Sequence, residues 1–347
     1  MGHLVRFTSP RNAEVIEQPY ARPAVGEVLI ATRYSGISAG TELTAYRGTN
    51  PYMSHRWDVD SRLFVEGQPT HSYPLDGWGY EEVGEITEVG EGVDTELIGR
   101  LVWGAWGHRS TAIRTAAWVE PRMMPEANDD AVGIFAKIGA IALNAVLDAD
   151  VHIGETVVVF GAGVPGQIVS QLARLNGAHV VVVDLVPERR ELALSLGAHE
   201  ALDPRQTDVA TRLKELTGGR GADVAIEISG SYQALHDAVR SVAYSSRVVA
   251  AGFYQGGGTQ IRLGEEFHHN RVAVVGSQIS GVAPSLQHRW DEIRMSQTVL
   301  NLESSGRLQL APLVSHLIDA REAARAFEML DEAASDVLQV VLDYRAG

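Results

Sequence analysis

No cysteine occurs among the 347 residues, and lysine occurs only at Lys137 and Lys214. The first absence excludes disulfides, a thiol nucleophile and any cysteine-ligated zinc or iron–sulfur centre. The histidines show neither an HxH nor an HExxH spacing, and the adjacent His268 and His269 do not share one helix face. No run of eighteen or more apolar residues is present, so no membrane-spanning helix is expected. Basic residues number 29 against 44 acidic ones, a formal net charge of −15. A phosphate backbone would be repelled by that field, which argues against a nucleic-acid partner. Met1 to Pro10 lacks a signal-peptide pattern, so the expected location is cytoplasmic. Internal repeats and low-complexity tracts are also missing.

What is present is more specific. Val157 to Phe160 reads as a strand and runs directly into Gly161-Ala-Gly163-Val164-Pro165-Gly166. A helix-like segment follows from Gln167 to Asn176. A second apolar strand, His179 to Val183, ends in Asp184, eighteen residues past Gly166. This is the order a dinucleotide-binding βαβ unit requires. Gly161 permits the tight turn, Gly163 lets backbone approach a pyrophosphate, and Gly166 lets helix pack on strand. Asp184 stands where a carboxylate accepts hydrogen bonds from the adenosine ribose, and a 2′-phosphate there would meet like charge. Leu185, Val186 and Pro187 follow it, not a base; Arg189 is the first cation within reach of ribose or phosphate. The expected cofactor is therefore NAD.

A chain of this length favours two domains. Residues 1–130 read as β-rich and barrel-like, with strands over Val28–Tyr34, Val83–Gly90 and Leu97–Trp103. Residues 50–76 form a long, aromatic, irregular stretch of the kind that is usually functional. From Ala131 the period becomes helical, and strands alternate with helices to about residue 279. That pattern predicts a doubly wound parallel α/β sheet with strands at Val157, Val180, Val224, Arg247 and Val272. Residues 280–347 are expected to return to the first domain, ending in the strand Val337–Asp343.

Several motifs carry a family resemblance. They are Ser35-Gly-Ile-Ser38-Ala-Gly-Thr41-Glu42, Gly79-Tyr80-Glu81-Glu-Val-Gly84, Gly154 to Gly163, Glu227-Ile-Ser229-Gly230 and Gly276-Ser277-Gln278. Together they resemble the medium-chain dehydrogenase/reductase family over essentially the whole chain. The resemblance implies a GroES-like catalytic domain beside a Rossmann NAD-binding domain. It also implies hydride transfer between NAD(H) and an alcohol or ketone. Zinc members of that family carry metal ligands where this chain has Ser38, Tyr80 and, by spacing, Ala136. The chain thus looks like a zinc-free member, similar to the bacteriochlorophyllide-type hydroxyethyl dehydrogenases and to polyol and natural-product dehydrogenases.

Without a metal, side chains must handle the proton. By the resemblance, the candidates are Lys137 beside the vacant third-ligand position, Tyr80 in the metal-histidine position, Thr41 in the relay position and His108 in a loop bordering the cleft. Each has a plain alternative: Lys137 snorkels or pairs with Glu81 or Glu82, Tyr80 packs in the barrel, Thr41 caps a turn, and His108 is a loop histidine. Glu81 would support the site from behind, His55 and His71 are weaker candidates, and Asn144 reads as structural. Ser229, Gly252 and Ser277 end strands at which the family holds ribose and carboxamide. The expected partners are a small-molecule substrate and a second copy of the chain, paired through Val272–Val275. A double-bond reductase and a redox-neutral protein that retains NAD stay open as alternatives.

Overall fold

The computed structural model describes residues 2–125, 129–332 and 336–345. Two compact units divide the chain, residues 1–137 with 314–347, and residues 138–313.

In the first unit the long strand Glu27–Ile37 is the centre of the larger sheet. It pairs antiparallel with Glu81–Val89, with Thr111–Thr115 and with Gln339–Asp343. Leu101–Gly104 extends one side, and Val314–Asp319 lies parallel to Gln339–Asp343 on the other. A smaller sheet takes the order Asn12–Gln18, Gly2–Ser9, Leu75–Asp76. Between these elements Phe7, Tyr46 and Phe327 are buried with their rings in mutual contact. Val28, Ile30, Ile86, Val102 and Trp106 fill a second core. Glu27–Ile37 thus contributes to both cores, with Val28 and Ile30 in one and Ile37 in the other.

The second unit holds a six-stranded sheet in which every pairing is parallel. Its order is Glu200–Leu202, His179–Val183, Thr156–Phe160, Ala222–Glu227, Val242–Ala250, Ala273–Gly276. Numbered from the first strand this is 3-2-1-4-5-6, the dinucleotide-binding order. The topological switch point falls between the ends of Phe160 and Glu227.

Three expectations change. The chain leaves the second unit at residue 313, not 279. Residues 280–313 stay because the helix Glu292–Ser304 packs Val299 against Gly139, and Gln171 bonds both the N–H and the C=O of Gln309. The boundary at the other end lies after Lys137, within the helical stretch and not before it. The strand expected from Leu97 begins at Leu101, because Asp94 caps a 3₁₀ turn over Thr95–Leu97. The stretch Asp130–Ala149 is long and apolar enough to cross a membrane, yet most of it is buried as a core element.

Candidate active site and dinucleotide cradle

The cradle lies at the end of the first parallel strand, where Val157, Val158 and Val159 are wholly buried. Gly161 takes φ +101°, a left-handed conformation that favours glycine. A Cβ on Gly166 would lie 1.8 Å from the Gly161 carbonyl oxygen, so only glycine allows this helix to start so close to the strand. At Gly163 no atom stands nearer than 4.0 Å to such a Cβ, leaving room for a ligand. Gly163 also precedes the helix Val164–Leu175 and no side chain caps the helix's first N–H groups, which suits a pyrophosphate.

Asp184 fixes the turn it faces. Its Oδ2 accepts from Ala162 N–H (2.6 Å) and its Oδ1 from Val186 N–H (2.8 Å), and each oxygen keeps a lone pair for a ribose hydroxyl. Arg190 is committed to the Asp184 carbonyl (2.7 Å) and stands 3.4 Å from Asp203. Gln167 spans the turn and bonds the carbonyls of Ala162 and Arg189. At the fourth strand's end the buried Glu227 accepts from Ser229 N–H (2.8 Å), Gly230 N–H (3.3 Å) and the hydroxyls of Ser229 and Tyr254. Burial raises its pKa against the pull of these donors. Gly252 admits no side chain, since a Cβ would fall 2.2 Å from Gly230 N. Ser277 is held by Asn144 (3.4 Å) and by its own N–H on Ala250 (3.0 Å). These residues fit a dinucleotide: an open glycine turn, an uncapped helix start and a strand-end carboxylate.

In the first unit a polar network lies under the sheet. The Tyr80 hydroxyl bonds Ser38 Oγ and stands 3.4 Å from Thr41 Oγ1. Thr41 precedes the helix Glu42–Arg47 but its side chain does not cap it. Ser38 N–H donates to Glu42 Oε1 (2.9 Å), and Glu42 Oε2 accepts from His108 Nε2 (2.5 Å). His108 Nδ1 meets Ser35 Oγ (2.6 Å), which lies 3.3 Å from Glu82 Oε1, and Glu82 Oε2 accepts from Trp106 N–H (2.7 Å). Ser35, Glu42, Glu82 and His108 are fully buried.

Burial acts on Tyr80, Glu81, Glu82 and His108 in this region. It pushes Glu82 up to about 7, with His108 and the Trp106 N–H opposing the rise. Burial lowers His108, but Glu42 and Glu82 outweigh it and leave the imidazole above its ordinary value. Glu81 is held well above the carboxylate range by burial and by the charges of Glu42 and Glu82; neither of its oxygens makes a hydrogen bond. Burial foremost, then Glu81, raises Tyr80, so it stays a neutral phenol.

The sequence model of a family described as zinc-binding dehydrogenase matches residues 163–297. The D-guloside 3-dehydrogenase of Escherichia coli (strain K12) is 31% identical over 320 residues, covering 90% of this chain and 91% of that protein. This chain belongs to the zinc-binding dehydrogenase family. As a family dehydrogenase it is an oxidoreductase that works with a nicotinamide dinucleotide. The 2R,3R-butanediol dehydrogenase of Bacillus subtilis has the same fold, with TM-score 0.79 at 21% identity over 99% of each chain. A zinc-binding dehydrogenase of Sinorhizobium meliloti 1021, solved with NADP, gives the same TM-score of 0.79 at 21% identity, also over 99% of each chain.

The family name raises the question of a metal, and the residues do not fit one. The hydroxyls of Ser38 and Tyr80 bond each other, and Ala136 is buried and apolar. Neither hydroxyl is a good zinc donor. Among the described residues no group of three His, Asp or Glu side chains is arranged to hold an ion.

Of the proton-handling candidates, Tyr80 and Thr41 come together, with Ser38 as the third member. His108 is wholly buried between Glu42 and Ser35 and cannot touch a substrate; its position is a correction to the reading of it as a general base. Lys137 is half-buried at the end of the first unit. His55 is exposed beside Ser54, and His71 lies among aromatic rings. Asn144 is buried and holds Ser277 and the Gly281 carbonyl. In the sequence reading Ser35 and Glu82 have no part in the site beyond a motif position and the alternative pairing of Glu82 with Lys137, and Tyr254 is not named. A strand serine, the second of two adjacent glutamates and a loop tyrosine carry no spacing that marks them.

Proposed function

We propose that the protein is a zinc-independent, NAD(H)-dependent dehydrogenase acting on a secondary alcohol, or its ketone, of a small polar metabolite: a polyol, cyclitol, sugar or natural-product intermediate. The observation that carries this reading is the hydroxyl cluster of Tyr80, Ser38 and Thr41; by the family resemblance Ser38 and Tyr80 fill metal-ligand positions and Thr41 the relay position. The nicotinamide ring supplies hydride acceptance or donation. In the oxidation direction a secondary alcohol loses a hydride to NAD and a proton to its surroundings, leaving a ketone and NADH.

Tyr80 remains a phenol, so it acts as a hydrogen-bond donor to the substrate oxygen and not as a tyrosinate base. Thr41 and Ser38 each stand next to that hydroxyl, and the proton passes through them. Lys137, the cation beside Ala136, is the proposed electrostatic partner for a developing alkoxide. His108 and Glu42 are positioning residues: they clamp the backbone N–H of Ser38 and the start of the helix behind Thr41. Asp184, with no base directly after it, supports NAD over NADP. The preference matters because a relative with this fold binds NADP.

Ala273–Gly276 is an exposed edge strand, which supports a homodimer formed by strand pairing. The net charge and the buried core helix support a cytoplasmic protein without a nucleic-acid or membrane partner.

The test is the growth of reduced-nicotinamide absorbance with NAD and a panel of polyols, cyclitols and sugars. Tyr80→Phe should cut turnover roughly 10²-fold while dinucleotide binding stays unchanged. Lys137→Met should do the same; near-parental turnover in that variant would remove Lys137 from the chemistry and leave Tyr80 in it. Turnover of activated double bonds, with none of any alcohol, would overturn the alcohol reading.

A further inference from the structure

The segment between Asn50 and Asp76 plays no part in the proton chemistry, yet it is firmly built. Asn50 caps the turn Pro51–Met53 and bonds Thr44. The hairpin Arg56–Asp58 with Leu63–Val65 sets Trp57 directly opposite Phe64. Trp57 N–H bonds Thr70 Oγ1 (2.8 Å), and His71 N–H bonds the Tyr52 carbonyl (3.0 Å). Five rings then follow in contact: Trp57–Phe64 at 4.8 Å, Phe64–Tyr52 at 5.2 Å, Tyr52–His71 at 5.6 Å and His71–Trp78 at 5.1 Å between centroids. The row ends two residues before Tyr80.

These rings are not a closed core. Phe7, Tyr46 and Phe327, which pack on one another in the same unit, are at most 2% exposed, whereas Phe64 is 43% exposed. Trp57, Tyr52, His71 and Trp78 are each only partly covered. A hairpin of three residues a side does not need five aromatic rings to hold it. Val59 and Leu63 are exposed in the same hairpin, but Arg56, Asp60, Arg62 and Glu66, exposed as well, are interspersed with them, unlike the continuous apolar area that a membrane or a protein partner would want. Partly exposed rings flanked by hydroxyl-bonding groups match a pyranose. Its axial C–H face stacks on aromatic rings, and its equatorial hydroxyls bond groups such as His55, Asp58 and His71.

We propose that this row of rings is a pyranose-binding subsite that presents a ring hydroxyl to Tyr80. That the bound sugar is the substrate rests on the dehydrogenase reading; that the rings bind a pyranose does not. The experiment is saturation-transfer NMR on the whole protein without dinucleotide, using methyl β-D-glucopyranoside, methyl β-D-galactopyranoside and an acyclic hexitol. Saturation should reach the ring C–H protons of the pyranosides, and the hexitol should bind at least tenfold more weakly. Phe64→Leu keeps an apolar side chain but loses the flat ring, and should weaken pyranoside binding about tenfold. Leu63→Ser, on the opposite face of the hairpin, should leave binding within twofold of the parent.

Absent transfer to both pyranosides, equal binding of the hexitol, or an unchanged Phe64→Leu variant would each overturn the subsite. Circular dichroism of both variants shows that the fold is kept. If pyranosides bind but no alcohol reduces NAD, the dehydrogenase reading falls and the subsite stands. If alcohols are oxidised and pyranosides do not bind, the subsite falls alone.

Discussion

Glu82→Gln is the most direct probe of the buried network. Burial raises the Glu82 carboxyl from 4.5 to about 7, so the folded chain holds its proton more tightly than the unfolded chain by roughly 3 kcal/mol. The sign follows from proton counts. Below about pH 4.5 the carboxyl is protonated in both states and its contribution is intact. Between that pH and about 7 the unfolded chain gives up the proton while the folded chain keeps it, so stability falls as pH rises. His108 is also raised, and its contribution, full below its ordinary value, is lost in the same direction at higher pH. Glutamine cannot ionise. It can still accept from Trp106 N–H and donate to Ser35 Oγ, which then donates to His108 Nδ1. The variant should match the parent near pH 5 and be more stable than it by about 2–3 kcal/mol near pH 8. Urea denaturation followed by tryptophan fluorescence reads this unit, because Trp57, Trp78, Trp103, Trp106 and Trp118 belong to it and only Trp290 to the other. A variant whose stability declines with pH as steeply as the parent's would show that Glu82 is ionised throughout, and would refute the reasoning.

Asp184→Ser with Leu185→Arg should move affinity from NAD toward NADP by tenfold or more, since it removes the like charge and adds a base; fluorescence titration with each reduced cofactor reads the change. Gly166→Ala places a methyl 1.8 Å from the Gly161 carbonyl oxygen, so the turn must shift and dinucleotide affinity should fall at least tenfold in the same titration. Val274→Lys charges the exposed edge strand Ala273–Gly276 and should convert a dimer into a monomer by light scattering; a parent that is already monomeric at micromolar concentration removes the pairing.

The dinucleotide cradle is legible in the chain because its signal is local. Gly161 needs a left-handed φ and Gly166 a missing Cβ, and both demands are met by residue type at fixed spacing. The parallel sheet is legible for a related reason: strands buried on both faces read as apolar runs. The strand Val314–Asp319 hid because Ser315 and Leu317 point outward, so its pattern breaks the run. Without a visible strand there, the sequence carries no mark of the exit from the second unit at residue 313. That Ser38 and Tyr80 fill positions where the resemblance implies metal ligands is a signal of the same local kind, since it concerns which residue fills a motif position. Burial of charge is not. Glu81 and Glu82 are adjacent and so point to opposite faces of a strand that pairs on both sides, and nothing in their order says that both carboxylates are covered. The same holds for His108, whose loop position suggested access to substrate. Its partners Glu42 and Ser35 lie 66 and 73 residues away in sequence. A buried ionisable group is stable only when distant groups satisfy it, so its role is a property of the assembled sheet and not of any short stretch of chain. That is why the network nearest the proposed chemistry is also the part least visible before folding.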